Sequence, residues 1–149
     1  MKVPLVDLRA SLEPIRAELL RGVEEILDGM GLFLGQHVQR LEQEFTAFCE
    51  AQHGVAVSNG TDAISVALRA LGVGPGHEVI APSHTFFATI AAIAHTGATP
   101  VLVDIEPETI TIDPRCVPAA VGPPTRAIVR VHLNGHPADM DPILALACE

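Results

Sequence analysis

Tryptophan and tyrosine are absent, and phenylalanine occurs only five times in 149 residues. Nearly half of the chain is nonetheless hydrophobic, at 48%. The core must therefore be built from Ala, Val, Leu and Ile, as in parallel sheets buried under helices. Such a composition excludes an intrinsically disordered chain. Lysine is nearly missing too: Lys2 stands alone beside eight arginines. The arginines are scattered rather than striped, and the net charge of −9 repels a phosphate backbone, so no nucleic-acid partner is expected.

The cysteines, Cys49, Cys116 and Cys148, are odd in number and far apart. They signal neither a disulfide framework nor a zinc knuckle, and they read as reduced thiols in a cytoplasmic protein. Residues 1–7 lack the long apolar stretch of a signal peptide. The most apolar helical run, 86–98, is interrupted by Thr89, His95 and Thr96 and is too short to cross a bilayer, so no membrane partner is expected. No G-x-S-x-G sequence points to an α/β-hydrolase elbow.

Two amphipathic helices open the chain. Leu12, Ile15, Leu19, Val23 and Ile26 recur at spacings of three and four, as do Val38, Leu41, Phe45 and Phe48. Between them, 29–35 is rich in glycine yet holds Leu32, Phe33 and Leu34; it reads either as packed on its own core or as a subunit interface or substrate rim. From residue 53 the texture changes. Strands are expected at 54–58, 78–82, 99–105 and 126–133, and helices at 61–71, 85–96, 114–121 and 139–149. This alternation predicts an α/β fold: N-terminal helices in a segment 1–52, then a partial, mainly parallel sheet in 53–149 with helices on both faces. The last helix starts with Asp139 and Pro142 but meets no stop signal by Glu149, so the domain is expected to be truncated.

Two loops could carry chemistry. Ser58-Asn59-Gly60-Thr61-Asp62 sits where a strand gives way to a helix. The free N–H groups of a helix's first turn form an anion site, Gly60 allows close backbone approach, and Thr61 adds a hydroxyl. Asn59 and Asp62, three apart, read equally as a helix-capping pair, and an acidic side chain does not favour a dianion. Pro82-Ser83-His84-Thr85-Phe86-Phe87 likewise follows a strand and opens a helix. Ligands of open α/β sheets sit at the carboxyl ends of strands. One of the adjacent phenylalanines is expected to enter the core while the other is free to cover an aromatic ligand; both in the core is the alternative. Gly72-Val73-Gly74-Pro75-Gly76 follows a helix and precedes a strand, the wrong context for a dinucleotide fingerprint. His132 and His136 lack a nearby carboxylate or Cys partner, so no metal site is expected.

Taken together and in order, several segments resemble the DegT/StrS family of pyridoxal-phosphate sugar aminotransferases. They are Val3-Pro4-Leu5-Val6-Asp7-Leu8, Ser58 to Ala63, Gly74 to Ile80 leading into Pro82 to Phe86, Val103-Asp104-Ile105, Pro107-Glu108-Thr109, His132-Leu133 and Gly135 to Asp141. The resemblance covers essentially all of this chain but well under half of a typical member. It implies an incomplete large domain of an aspartate-aminotransferase-like fold, with pyridoxal 5'-phosphate as cofactor. Gly60 and Thr61 would hold the phosphate and Phe86 would stack on the pyridine ring. It further implies a nucleotide-linked keto-sugar substrate, an amino donor such as glutamate, and a homodimer with sites shared across the interface.

There are departures. Asn134 stands where the family usually has Tyr, and Arg130 where it often has Pro. The family's pyridinium-binding Asp and Schiff-base Lys are not among these residues, and Lys2 is no substitute. No catalytic residue is therefore assigned, and the 149 residues alone are expected to be inactive. Some relatives replace that Lys by His and act as sugar dehydratases. The alternative is a non-catalytic phosphate-binding or dimerising remnant of the family. A nicotinamide dehydrogenase domain rests only on the α/β alternation.

Overall fold

The computed structural model describes residues 3–147, and contacts divide the chain into two units, Met1–Ala56 and Val57–Glu149. In the first unit, Asp7 caps a short helix α1, Leu8–Leu12, accepting from the Arg9 and Ala10 N–H groups at 3.1 Å. The apolar repeat through Leu12 and Ile15 does not form one helix. Pro14 lies in a 3-10 turn, Glu13–Ile15, because proline cannot donate to the preceding helical turn and its ring clashes there. Helix α2, Arg16–Asp28, then carries the remainder, and α3 spans Gln36–Phe48. The linker between them turns through left-handed Met30 and Leu34. Its Leu32, Phe33 and Leu34 are exposed.

Residues 54–58 do not form a strand. Val55 is 80% exposed, and no described segment pairs with it. A lone extended stretch gains no ladder bonds, whatever its β propensity. The Ala56 N–H instead donates to Glu42 Oε1 at 2.8 Å, and Gly54 lies so close to Thr46 that a Cβ would overlap its hydroxyl.

The second unit begins with α4, Gly60–Ala70, followed by a turn through left-handed Gly72 and Gly76. The remaining elements are β1 (Glu78–Pro82), α5 (Phe87–His95), β2 (Thr99–Val103), α6 (Val117–Ala120), β3 (Thr125–Ile128) and α7 (Met140–Ala147). The sheet is parallel with strand order β2-β1-β3, so Ile80 sits between Val101 and Ile128. The expected last strand is regular only to Ile128, although the Val129 N–H still donates to Ile80 O at 2.8 Å.

Parallel connections are right-handed. The step from β1 to β2 goes one way across the sheet, and the step from β2 to β3 goes back past β1. The two crossovers therefore fall on opposite faces, and burial follows that division. Val79 and Ala81 pack with Leu68 of α4 and Ile93 of α5, whereas Ile80 packs with Val117 of α6 and Ile143 of α7. Val79, Ile80 and Ala81 are completely buried. This explains a strand that reads as a continuous apolar run. Helix α5 ends at Gly97, whose φ of 86° and 2.9 Å clearance between a built Cβ and Pro75 Cγ admit only glycine comfortably.

Candidate anion and ring site at the sheet's carboxyl edge

Asn59 is the N-cap of α4: its Oδ1 accepts from the Asp62 N–H at 2.9 Å. Its Nδ2 donates to Ser58 Oγ at 3.2 Å and to Asp62 Oδ2 at 3.1 Å, and Ser58 Oγ also donates to Asp62 Oδ2. Capping and anion binding thus stop being alternatives. The cap uses the N–H of Asp62 and ties down its carboxylate. The N–H groups of Gly60 and Thr61, the first two of α4, have no acceptor among the described residues. Gly60 is exposed, and a Cβ built on it meets no atom within 4 Å, so the space beside this turn is open.

The second loop follows β1. The Ser83 N–H donates to Val103 O at 2.8 Å, and the hydroxyls of Thr85 and Thr89 lie 2.9 Å apart, bracing the entry to α5. Neither phenylalanine enters the core: Phe86 and Phe87 are both 76% exposed. The expectation that one would be buried fails for a geometric reason. The buried residues of α5 are Thr89, Ala92 and Ile93. Phe86 precedes the helix with an extended ψ of 137°, and Phe87 lies off that stripe.

Two hydrogen bonds join the helices that these loops open. Ser65 Oγ of α4 donates to Ala92 O of α5 at 3.0 Å, and the Arg69 guanidinium donates to His95 O. Both links advance together along the two chains, so α4 and α5 run parallel. The links join residues 27 and 26 apart in sequence, so the first turns of α4 and α5 lie toward the same end. Because α5 follows β1, both helix starts lie at the carboxyl end of that strand. The connections leave β1 and β3 toward opposite faces, which makes the space between them the topological switch point where ligands of open sheets settle. Gly60, Thr61 and Phe86 are thus placed at one edge. The glycine-rich 72–76 turn, which leads into β1, is at the opposite edge, where His77 Nδ1 accepts from the Gly74 N–H at 3.2 Å.

After β3 the chain returns to the same carboxyl edge. His132 Nδ1 accepts from the Ala138 N–H at 2.9 Å, spanning a turn whose centre is Asn134 (φ 54°, ψ 26°) and Gly135 (φ 81°). The His136 N–H donates to Leu133 O at 2.9 Å, which completes a type I′ turn. Both residues must be left-handed there, so the Asn134-Gly135 dipeptide was a signal available in the sequence. His132 and His136 belong to this turn, and among the described residues no group of three His, Cys, Asp or Glu side chains is disposed to hold a metal ion.

Beyond β2, Asp113 accepts from both the backbone and the guanidinium of Arg115 at 2.9 Å. Arg115 holds the Asp113 carboxyl below its usual range, and Asp113 in turn raises Arg115. Burial, followed by the neighbouring Asp113 charge, pushes the Cys116 thiol up. This cluster was not anticipated, and its bonds are structural ones within a turn.

Residues 13–149 match the model of the DegT/DnrJ/EryC1/StrS aminotransferase family. The chain is 48% identical over 146 residues to a dTDP-3-amino-3,4,6-trideoxy-alpha-D-glucose transaminase of Streptomyces venezuelae, covering 98% of this chain and 38% of that protein. The crystal structure of S. venezuelae DesV, in complex with a ketimine intermediate, is similar with a TM-score of 0.95 at 48% identity, covering 99% of this chain and 40% of that one. A Bacillus subtilis protein, NtdA, solved with bound cofactor PMP, is similar with a TM-score of 0.94 at 34% identity, covering 99% of this chain and 34% of that one. These 149 residues thus span about two-fifths of the length of such relatives. With a family model matched over nearly the whole sequence and near-superposable folds among its solved members, the chain belongs to the DegT/DnrJ/EryC1/StrS aminotransferase family.

Proposed function

We propose that these residues form the cofactor cradle of a pyridoxal-phosphate-dependent aminotransferase acting on a nucleotide-linked keto-sugar. The observation that carries this reading is the pair of parallel helix starts at the carboxyl edge of β1, one with free N–H groups and the other with an exposed phenyl ring. The residues suit the group. A phosphate dianion needs donors and positive potential, which the first turn of α4 supplies. Thr61 is half-buried there and adds a hydroxyl. A flat aromatic ring needs an apolar face, which Phe86 offers without cost to the core.

Pyridoxal phosphate, when bound, supplies an electron sink for bond-making and bond-breaking next to nitrogen. This chain's part is to hold and orient it: Gly60 and Thr61 at the phosphate, and Phe86 against the ring. Asp62, tied to Ser58 and Asn59, keeps its carboxylate engaged within the cap. The reading includes an amino donor such as glutamate, a homodimer, and a cytoplasmic setting. Among the described residues, no helix is long and apolar enough to cross a membrane.

The alternative reading is a non-catalytic phosphate-ligand binder, which needs no lysine at the cofactor. Borohydride reduction in the presence of cofactor separates the two. On the full-length protein, a covalent adduct at a lysine other than Lys2 would support transaminase chemistry, and its absence with retained cofactor binding would favour the binder.

The phosphate assignment is tested by titrating pyridoxal phosphate and, separately, pyridoxal without its phosphate. The phosphorylated form should bind more tightly, and Gly60→Leu should abolish that preference while the circular dichroism stays unchanged. Equal binding of the two forms, or an unaltered preference in the variant, would mean that α4 does not hold the phosphate.

A further inference from the structure

The chain has only two asparagines, Asn59 and Asn134, and glycine follows each. Locally the two sites share the same chemistry, because a glycine leaves the following amide unshielded toward the asparagine side chain. The fold treats them differently. Asn59 is held on both ends of its carboxamide, by the Asp62 N–H and by Ser58 and Asp62 side-chain oxygens. Its carbonyl also accepts from the Ala63 N–H at 3.0 Å, and Gly60 is already the first residue of α4. The Gly60 N–H is unengaged, so whatever restrains this site acts through the asparagine. The Asn134 side chain makes no hydrogen bond among the described residues and is exposed. Two backbone bonds close its turn, from the Gly135 N–H to His132 O at 3.3 Å and from the His136 N–H to Leu133 O at 2.9 Å, and the Ala138 N–H spans it to His132 Nδ1 at 2.9 Å.

We propose that Asn134 is a site of spontaneous deamidation in this protein, and that the α4 cap protects Asn59 from the same reaction. The Gly135 amide nitrogen loses its proton to solvent base and attacks Cγ of Asn134. The new N–Cγ bond forms as the Cγ–Nδ2 bond breaks, and the nitrogen leaves as ammonia after taking a proton from water. Water then adds to either carbonyl of the five-membered imide, opening it to Asp or to isoaspartate. The step needs no oxidant or metal, only solvent.

In the native turn, the Asn134 ψ of 26° holds the Gly135 nitrogen away from its own side chain. Attack therefore waits for the turn to open. An exposed turn held by two backbone bonds and the Ala138 to His132 bond opens far more often than a capped helix start with a packed face. The product carries a new negative charge at the carboxyl edge of β3. As isoaspartate it also carries an extra backbone methylene, which a type I′ turn has no room to accommodate. The reaction at Asn134 is independent of whatever the α4 turn binds.

The test follows both sites in one sample. The full chain is incubated at mildly alkaline pH and physiological temperature, and its peptides are mapped by mass spectrometry with fragmentation that distinguishes Asp from isoaspartate. Conversion at Asn134 should outpace that at Asn59 by about tenfold, the ratio set by the difference in local opening. In urea the two rates should become comparable. Gly135→Ala, with native circular dichroism, should slow conversion at Asn134 and leave Asn59 unchanged. Conversion at Asn59 as fast as at Asn134 in the folded chain would overturn the proposal. So would a ratio that persists in urea, or an Asn134 rate indifferent to Gly135→Ala.

Discussion

At the scale of single residues, the most informative side chains are those whose surroundings contradict a simple reading of their type. Phe86 is apolar yet stands 76% exposed at the entry to α5. Phe86→Ala should therefore leave the melting temperature almost unchanged. On the proposed function it should weaken pyridoxal phosphate binding by about 1 kcal/mol, roughly fivefold, as expected for loss of one aromatic contact. Affinity equal to the parent's would remove Phe86 from the site. Asp113 is the opposite case, a carboxylate buried in a turn and paired with Arg115. Its folded pKa lies below its unfolded one, because the ionised form is hydrogen-bonded by Arg115. The stability it contributes is thus fully present above the ordinary carboxylate range, about pH 4, and is lost as pH falls through the depressed value. Asp113→Asn should melt lower than the parent at neutral pH, and the gap should close in acid. A gap independent of pH would mean that the ion pair contributes nothing.

Elements differ in how far the sequence reveals them. Helix α3 was legible because Val38, Leu41, Phe45 and Phe48 repeat at helical spacing and Gly35 precedes the start. β1 was legible because Val79, Ile80 and Ala81 form an uninterrupted apolar run between a glycine turn and Pro82. The stretch 54–58 looks similar in composition, yet it lacks a ladder, since strand identity depends on a distant partner that local pattern does not report. The break at Pro14 was visible as a residue but overridden by the apolar repeat around it. At the site, the positions of Gly60 and Phe86 at element starts could be read directly. That both loops could face one crevice was also readable, from the carboxyl-end rule for open sheets. The spacing of the two helices was not, because it depends on the Ser65 and Arg69 links between α4 and α5. Gly97→Ala tests an element boundary: with φ at 86° and Pro75 in contact, it should destabilise the chain by more than about 1 kcal/mol in a urea titration. A smaller loss would mean that α5 can end in another conformation.

For the molecule as a whole, the telling feature is the outer edge of β3. It pairs with β1 on one side only, among the described residues. Beside it, Ile64 of α4, Leu71 just after it, Val129, and Ile143 and Leu144 of α7 line an open apolar groove of about 400 Å³. An unpaired edge flanked by exposed apolar side chains is a template for association. The 149 residues expressed alone should therefore sediment as oligomers at micromolar concentration, and Leu144→Glu, at a position already 54% exposed, should shift them toward monomer. A chain that is monomeric without the substitution would show that this groove is not sticky.

The two links between α4 and α5 have a consequence of another kind. On the proposed function they set the separation of the phosphate and ring contacts before any ligand arrives, so the helices act as the jaws of a caliper locked at one setting. A ligand of matching length then gains both contacts without having to immobilise either jaw, and the ordering entropy has already been lost in folding. A ligand of another length engages one jaw or the other. On that function Ser65, whose hydroxyl donates to Ala92 O at 3.0 Å, would bear on ligand size through the spacing that it holds.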